Sequence, residues 1–162
     1  MVEMSVQRVA IDPSSRTLVI LADSDGRRLL PIWIGPYEAQ SIAMALRNED
    51  FERPLTHDLL LSVIETFGYR LERVDITRLE DHTYYGLLGL ARGEESVQID
   101  TRPSDAIALA LRADARIFVA EEVLEKAQII NEDDEQEQMD AERFRDLLQQ
   151  AHLDEDSLNP DE

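Results

Sequence analysis

The sequence predicts an α+β fold with a mixed, largely antiparallel sheet, helices packed on it and an additional C-terminal amphipathic helix. Two groups of β-branched segments with short turns are separated by stretches in which apolar residues recur every three or four positions. A grouped order of strands and helices, without regular βαβ alternation, indicates the α+β class. The 162 residues are 43% hydrophobic, enough for one domain with a buried core and a short appendage.

The first 34 residues predict three strands. We expect them at Val2 to Ile11, Thr17 to Ala22 and Arg27 to Ile34. The Asp25-Gly26 pair favours a hairpin turn between the second and the third. Pro31 cannot donate a ladder hydrogen bond, so the third strand is expected at a sheet edge or with a bulge.

Two helices are predicted next. Pro36 suits the first position of a helix that runs to about Arg47, and Glu38 complements its positive end. Its inward face is expected to contain Ala39, Ile42, Ala43 and Leu46. The second helix is predicted between an N-cap at Thr56 and Gly68. Its buried stripe is expected to contain Leu60, Val63, Ile64 and Phe67.

The second half of the chain predicts an antiparallel meander followed by a buried helix. The strands are expected near Arg70 to Leu79, His82 to Ala91 and Ser96 to Thr101. Residues 102–105 then open a helix whose body, residues 106–111, is apolar on every side, which indicates burial on most faces. A short strand from Arg116 to Ala120 and a helix from Glu121 to Ala127 are expected to complete the domain.

The acidity of the chain is concentrated near its end. The net charge is −19, and residues 121–162 hold 16 acidic against 3 basic residues. We predict a domain over residues 1–128 and an acidic tail over 129–162 with one short helix at about 139–151. A negative chain repels nucleic-acid phosphates, so such binding would need bridging metal ions or a local basic patch. The candidates for such a patch are Arg27, Arg28, Arg47, Arg53 and Arg92.

Several kinds of site are excluded by composition. The chain has no cysteine, which removes disulfides, thiolate metal sites and cysteine nucleophiles. Its three histidines, His57, His82 and His152, lack the spacing of metal ligands. Because there is no run of about 20 apolar residues and no basic then apolar start, we expect a cytoplasmic protein without a membrane partner.

Three segments together resemble the bifunctional nuclease family. They are LPIWIGPYEA at 30–39, RPLTHDL at 53–59 and IDTRPSDAIALALR at 99–112. The likeness covers roughly residues 2 to 128, and residues 144–148 with 154–156 look like the acidic tail of bacterial members. The resemblance implies a compact α+β domain that forms homo-oligomers, with nuclease activity on RNA and DNA attributed to some members. It transfers no catalytic residues, so site assignments depend on chemistry.

Phosphodiester hydrolysis needs an activated water, neutralised phosphoryl oxygens and help for the leaving oxygen, commonly from Mg²⁺ or Mn²⁺ held by carboxylates. The predicted catalytic residues are Asp100, Arg102, Asp105 and His57. The predicted substrate-binding residues are Ser104 and Glu38, and the predicted metal ligands are Asp58, Asp100 and Asp105. Most lie at predicted helix N-termini, where free N–H groups and the helix dipole favour a phosphate oxygen.

The same residues have purely structural explanations. Acids such as Glu38 and Asp58 in a first turn stabilise a helix without any ligand. Arg102 can clamp a phosphate or tie Asp100 to a neighbouring subunit, and His57 can be a general base or ordinary exposed surface. Three hypotheses therefore compete: a metal-dependent nuclease, a non-catalytic oligomeric binding or regulatory module, and a protein that binds a small phosphate ligand at its helix N-termini. Convergence of the candidate acids in one accessible cleft favours the nuclease, whereas dispersion or burial in ion pairs favours the module.

Overall fold

The computed structural model describes residues 1–132, and residues Met1–Lys126 form one compact unit. The strands are β1 Val2–Ile11, β2 Thr17–Asp23, β3 Leu29–Trp33, β4 Arg70–Glu80, β5 Thr83–Arg92, β6 Glu95–Thr101 and β7 Arg116–Val119. The helices are α1 Pro36–Leu46, α2 Thr56–Thr66, α3 Pro103–Ala113 and α4 Glu121–Glu132. Every predicted element within the described residues is present, with ends that shift by a few residues.

The strands form one sheet in the order β3-β2-β1-β7-β4-β5-β6. All neighbouring strands are antiparallel except β4 and β7, which are parallel. The two groups of three strands predicted from the sequence are therefore joined by β7, which pairs with β1 on one side and β4 on the other. The prediction of an α+β fold with a mixed, largely antiparallel sheet is confirmed.

The hairpin of β2 and β3, and the edge position of β3, are as predicted. Gly26 has a φ of +66°, which glycine adopts at little cost, and its N–H donates to the Asp23 carbonyl at 3.0 Å. Pro31 lies opposite Ile20 on β3, and β3 is an edge strand of the sheet. Among residues 1–132 one side of β3 has no strand partner, and a proline nitrogen on that side costs no ladder hydrogen bond.

Helix α3 is the centre of the core. It contacts α1 and α2 on its sides and strands β4, β5 and β7 of the sheet. Its five consecutive residues Ala106 to Ala110 are at most 1% exposed, which confirms the predicted burial on most faces. The alternating alanines leave little side-chain volume, so neighbouring helices can approach the α3 backbone closely. The N-terminus of α3 is thereby held between α1 and α2.

The predicted buried stripe of α2 is wrong at three of its four residues. Leu60, Val63 and Phe67 are 41%, 43% and 69% exposed, whereas Ile64 is buried together with His57. Helix α2 carries apolar residues on most of its surface, so the spacing of leucines indicates a helix without indicating which side meets the core. The narrow face that contacts α3 is the one containing His57 and Ile64.

The predicted N-cap of α2 is also corrected by one position. Thr56 is the first helical residue, and Leu55 occupies the N-cap position with extended backbone angles. The Leu55 N–H donates to the Asp58 carboxylate at 2.8 Å. An acid at the third helical position thus satisfies the backbone donor that precedes the helix, as in a capping box.

The last described helix is longer than predicted, and the predictions for the tail stay open. Helix α4 runs to Glu132 and not to Ala127. The predicted tail helix at about 139–151 lies outside the described residues, and the predicted boundary between residues 128 and 129 stays a prediction. None of the helices that the structure describes is long and apolar enough to cross a bilayer.

Candidate functional site

The N-terminal parts of α1, α2 and α3 line a groove with a volume of about 630 Å³. We call it the α1–α2–α3 groove. The polar side chains that line it and contact one another are Glu38, Ser41, His57, Arg102 and Asp105. Four of these five are sequence-predicted site residues, and the fold brings them together from three separate segments.

Arg102 is the bridge between two of the predicted acids. Its Nε and Nη2 donate to the two Asp105 carboxylate oxygens at 2.6 and 3.0 Å, and Nη2 lies 3.0 Å from Glu38 Oε1. The hydrogen bond with Asp105 and the nearby negative charges raise the pKa of Arg102 above its ordinary value. The side chain is still 65% exposed, so the cation is accessible to a ligand in the groove.

The local sequence explains how Arg102 and Asp105 come to face each other. Arg102 is the N-cap of α3 in an extended conformation, Pro103 takes the first helical turn, and Asp105 lies in that turn. A residue at the N-cap and one three positions later share a side of the helix start, which allows the bidentate pair. Because this end of the helix is positive, the Asp105 carboxylate is stabilised there as well.

His57 is buried, which corrects the interpretation of it as ordinary exposed surface. It is 9% exposed on the inward face of α2. Its Nδ1 lies 2.8 Å from Ser41 Oγ and its Nε2 lies 3.0 Å from Asp105 Oδ1. The sequence indicated neither partner, since they are 16 and 48 residues away and no local spacing relates them.

Asp105 is held in its charged form. Burial raises its pKa, but hydrogen bonds from Arg102 and His57 outweigh that effect and place the pKa below its ordinary value. An ionised carboxylate only accepts hydrogen bonds, so the His57 Nε2 that faces it carries a proton. In the neutral form of the ring, the unprotonated nitrogen is then Nδ1, which faces the Ser41 hydroxyl.

Ser41 is a site residue that the sequence analysis missed. It lies in the interior of α1, next to the core residue Ile42, and has no motif around it. Serine is common in helices, where its hydroxyl normally bonds to the helix's own carbonyls, so its identity carried no signal. Only the packing of α1 and α2 on the same helix, α3, brings its hydroxyl to His57.

Asp58 faces a second groove of about 560 Å³ that lies beside the first. Arg112 Nε donates to Asp58 Oδ1 at 2.6 Å. Burial raises the pKa of Asp58, but the hydrogen bonds from Arg112 and from the Leu55 N–H lower it by more. The pKa of Asp58 therefore lies below its ordinary value. Asp58 therefore forms a structural ion pair with Arg112 and caps the N-terminus of α2.

Arg112 complements the α3 C-terminus and also contacts α1 and α2. Its Nη1 donates to the Ala108 carbonyl of its own helix at 2.9 Å. Its Nη2 donates to the Ser41 carbonyl of α1 at 3.3 Å, and its Nε reaches Asp58 of α2. One side chain, 10% exposed, thus joins the three helices that form the grooves.

Asp100 and Ser104 are not part of the groove. Asp100 is exposed on β6 opposite Leu87, which in turn lies opposite Asp75. These three residues share one face of the sheet, whereas the core residues Val74 and Ile76 occupy the other. Within the described residues Arg102 bonds to Asp105 and Glu38, and the proposed tie between Asp100 and a neighbouring subunit stays a prediction.

Ser104 points away from solvent. It is 6% exposed in the first turn of α3 and is not among the residues that line the groove, and its predicted contact with a substrate stays a prediction. The preceding residue, Pro103, is also buried. Sequence placed Ser104 correctly at the helix N-terminus, but the direction of its side chain follows from the packing of α3.

The predicted metal ligands Asp58, Asp100 and Asp105 are not assembled. Within residues 1–132, no three histidine, aspartate or glutamate side chains are close enough together to hold one metal ion. In the α1–α2–α3 groove, the space between the Glu38 and Asp105 carboxylates is occupied by the Arg102 guanidinium. The described residues therefore form no cluster of three ligands; Mg²⁺ can also bind through one or two carboxylates together with substrate phosphates and water, so the predicted metal stays a prediction.

The arginines that were candidates for a basic strip are largely neutralised by neighbouring acids. Arg28 pairs with Asp23 and Glu121, and Arg92 pairs with Glu95. Arg47 pairs with Glu49. Electrostatic attraction for a polyanion at these positions is consequently weak.

Comparison with known proteins identifies the family. The sequence matches the bifunctional nuclease domain over residues 19–132, which include the whole groove. The chain is 34% identical over 157 residues to an uncharacterized protein of Mycobacterium tuberculosis, with 93% of this chain and 90% of that protein aligned. It is 33% identical over 112 residues to Bifunctional nuclease 1 of Oryza sativa subsp. japonica and 29% to Bifunctional nuclease 1 of Arabidopsis thaliana. Each plant alignment covers 67% of this chain and 34% of the plant protein. The resemblance seen in the sequence is thus confirmed, and the chain belongs to the bifunctional nuclease domain family.

Proposed function

We propose that this protein is a nuclease that hydrolyses phosphodiester bonds of RNA and DNA in the α1–α2–α3 groove. The observation that supports this proposal is the continuous network of Arg102, Asp105 and His57 in a solvent-accessible groove. The network joins an exposed cation, which can neutralise phosphoryl oxygens, to a base that a carboxylate orients. Phosphodiester hydrolysis requires both functions. Membership of the nuclease family supports the reaction type.

Arg102 is the group that would bind the phosphate. Its guanidinium has two partners, of which Asp105 is bidentate and Glu38 contributes a single contact. A phosphate oxygen can take the place of Glu38 while Asp105 keeps the guanidinium in position. Positive charge directed at the phosphoryl oxygens stabilises the transition state more than the ground state when charge builds up there.

His57 is the group that would move a proton. With Nε2–H directed at Asp105, its Nδ1 can accept a proton from the nucleophile and return it to the leaving oxygen. Asp105 positions the ring and stabilises the imidazolium that forms, as a carboxylate does in other hydrolases. These steps use only side chains of the groove.

Dependence on Mg²⁺ or Mn²⁺ stays a prediction. Glu38 and Asp105 supply two oxygen donors, and Arg102 lies between them. We therefore assign no step to a metal ion, and cleavage is to be measured with each ion and with EDTA. A cytoplasmic location likewise stays a prediction.

The test of the nuclease proposal is cleavage of labelled single-stranded RNA and DNA by the full chain and by Arg102→Ala. We expect the variant to cleave about 100-fold more slowly, since it loses the cation for the phosphoryl oxygens. Arg102→Lys should recover part of the rate, because a lysine restores the charge without the bidentate geometry. The measurement is the initial rate at equal concentrations of folded protein.

The matched control is Arg70→Ala, which removes an exposed arginine from a surface ion pair with Glu72 on β4. Its rate should equal that of the unsubstituted chain. Equal cleavage by all preparations would indicate a contaminating nuclease, and absence of cleavage under every metal condition would reject the proposal.

The second candidate function is a non-catalytic oligomeric binding or regulatory module. Two observations favour it. The candidate acids Glu38, Asp58 and Asp105 are all engaged in ion pairs with arginines. The outer side of α2 carries apolar side chains that the described unit leaves exposed. We call this surface the α2 face, formed by Leu59, Leu60, Val63 and Phe67.

We propose that a second copy of this chain covers the α2 face in either function. An apolar surface on one helix is costly to leave in water, and a symmetric pair can bury it on both copies. Val63→Glu should therefore convert an oligomer to a monomer, because two glutamates would meet near the axis of the pair. The control is Ile99→Glu on the edge strand β6, where Ile99 is equally exposed at 43%.

The measurement is mass in solution by light scattering after size exclusion. We expect the unsubstituted chain and Ile99→Glu to be oligomeric and Val63→Glu to be monomeric. A monomeric unsubstituted chain would reject the oligomer. Val63→Glu with an unchanged mass would show that the contact involves another surface.

A further inference from the structure

Ser41, His57 and Asp105 form a hydrogen-bonded chain that the proposed function only partly uses. We infer that the Ser41 hydroxyl is the nucleophile of the groove and that phosphodiester cleavage passes through a covalent phosphoseryl form of the protein. This inference deepens the proposed nuclease function and rests on it for the substrate. The nucleophilic character of Ser41 can be measured separately.

The geometry is that of an activated serine. Ser41 Oγ lies 2.8 Å from His57 Nδ1, and His57 Nε2 lies 3.0 Å from Asp105 Oδ1. Because the Asp105 carboxylate can only accept, Nε2 carries a proton, and in the neutral imidazole Nδ1 is then the acceptor to which the Ser41 hydroxyl donates. The hydroxyl is therefore next to a base whose other nitrogen is held by a carboxylate. Serine hydrolases of unrelated folds use the same three groups in the same order but with the two ring nitrogens exchanged, since there Nε2 faces the serine and Nδ1 faces the carboxylate.

Ser41 also differs from two other hydroxyl residues in the helices. Ser62 and Thr66 in α2 donate to the carbonyls four residues earlier, at 2.9 and 2.6 Å. That is the usual way in which helical serine and threonine satisfy their hydroxyls. Ser41 bonds instead to a histidine of another helix, and its side chain lines the groove in which Arg102 is exposed. A solely structural serine in α1 would have had a carbonyl of its own helix available.

The reaction balances with the groups present. The Ser41 proton moves to His57 Nδ1, the Oγ–P bond forms, and the bond from phosphorus to the leaving oxygen breaks as that oxygen takes the proton from His57. A water molecule then gives a proton to the same Nδ1 and attacks phosphorus, the Oγ–P bond breaks, and Ser41 recovers its proton. Arg102 is the cation of the groove that can neutralise the phosphoryl oxygens in both steps.

The test uses the full chain and a fluorophosphonate probe, followed by intact mass and peptide mapping. The probe forms a bond between Oγ and phosphorus and releases fluoride, and it reacts with serines that a neighbouring base activates. We expect one adduct, on Ser41, and none on the exposed Ser62, which serves as the internal control. His57→Gln should slow the labelling about 100-fold through loss of the base. Ser41→Ala should abolish the adduct.

Nuclease rates separate this inference from the proposed function. Ser41→Ala is expected to lower cleavage at least about 100-fold. Ser41→Ala with full cleavage, while Arg102→Ala is impaired, would overturn the nucleophile and leave the nuclease proposal intact. A Ser41 adduct without nucleic-acid cleavage would support the nucleophile and reject the nuclease proposal. Failure of the folded unsubstituted chain to form the adduct would also overturn the inference, and circular dichroism verifies the fold of each variant.

Discussion

Asp105→Asn is expected to lower phosphodiester cleavage about a thousandfold, the largest effect on activity that we predict. Asparagine has nearly the shape of aspartate but no charge, so it neither holds His57 with Nε2 protonated nor stabilises the imidazolium. It also loses the bidentate contact with Arg102, which leaves that cation less well positioned. The measurement is the single-turnover cleavage rate, which reports the chemical step.

Asp23→Asn is the matched control for this substitution. Asp23 also accepts a hydrogen bond from an arginine Nε, that of Arg28 at 2.9 Å, and also has a lowered pKa, but it lies outside the groove. We expect its cleavage rate to equal that of the unsubstituted chain. A folded Asp105→Asn protein with a rate within a few-fold of normal would show that the His57–Asp105 pair has a structural role only.

Arg112→Met is expected to lower the free energy of unfolding by about 3 kcal/mol, the largest effect on stability that we predict. The methionine keeps much of the apolar stem, but the Asp58 carboxylate and the carbonyls of Ala108 and Ser41 lose their donor. Because Asp58 is partly exposed, water replaces some of what is lost, so the expected cost is at the lower end for a broken buried ion pair. Urea unfolding measures the change.

The corresponding exposed substitution is Arg70→Met, which removes a surface ion pair with Glu72. It should change the free energy of unfolding by less than about 1 kcal/mol, since such pairs contribute little. Equal effects of the two substitutions would contradict the role of Arg112 as the connection between α1, α2 and α3.

The Arg112–Asp58 ion pair also predicts that the free energy of unfolding depends on pH in acid. The folded state lowers the pKa of Asp58, because the hydrogen bonds from Arg112 and the Leu55 N–H outweigh the effect of burial. The resulting stabilisation is complete above the unfolded pKa of about 3.9 and is lost as pH falls through the lower folded pKa. The stability difference between the unsubstituted chain and Asp58→Asn should therefore shrink below about pH 4. A difference that stays constant down to pH 2.5 would contradict this linkage.

The sequence by itself determined the secondary structure and the class of the fold. The ends of β1, the edge position of Pro31 and the burial of α3 all depend on local signals: period-two polarity, a missing backbone donor, and an apolar helix with no polar side. The placement of Arg102 and Asp105 together at one helix start was equally local, since they are three residues apart. The family followed from segments that were already visible as motifs.

Only the tertiary structure decided which side chains meet and which surfaces stay exposed. Ser41, His57 and Asp105 come from three helices, and the exposed α2 face depends on which side of that helix packs on α3. Asp100 and Asp105, although five residues apart, separate because a strand directs Asp100 to one face of the sheet before the chain turns into α3. Periodicity describes a single element, whereas contacts between elements depend on side-chain volume and register across the whole core. The contacts among Ser41, His57 and Asp105 in the groove therefore follow only from the tertiary packing of α1, α2 and α3.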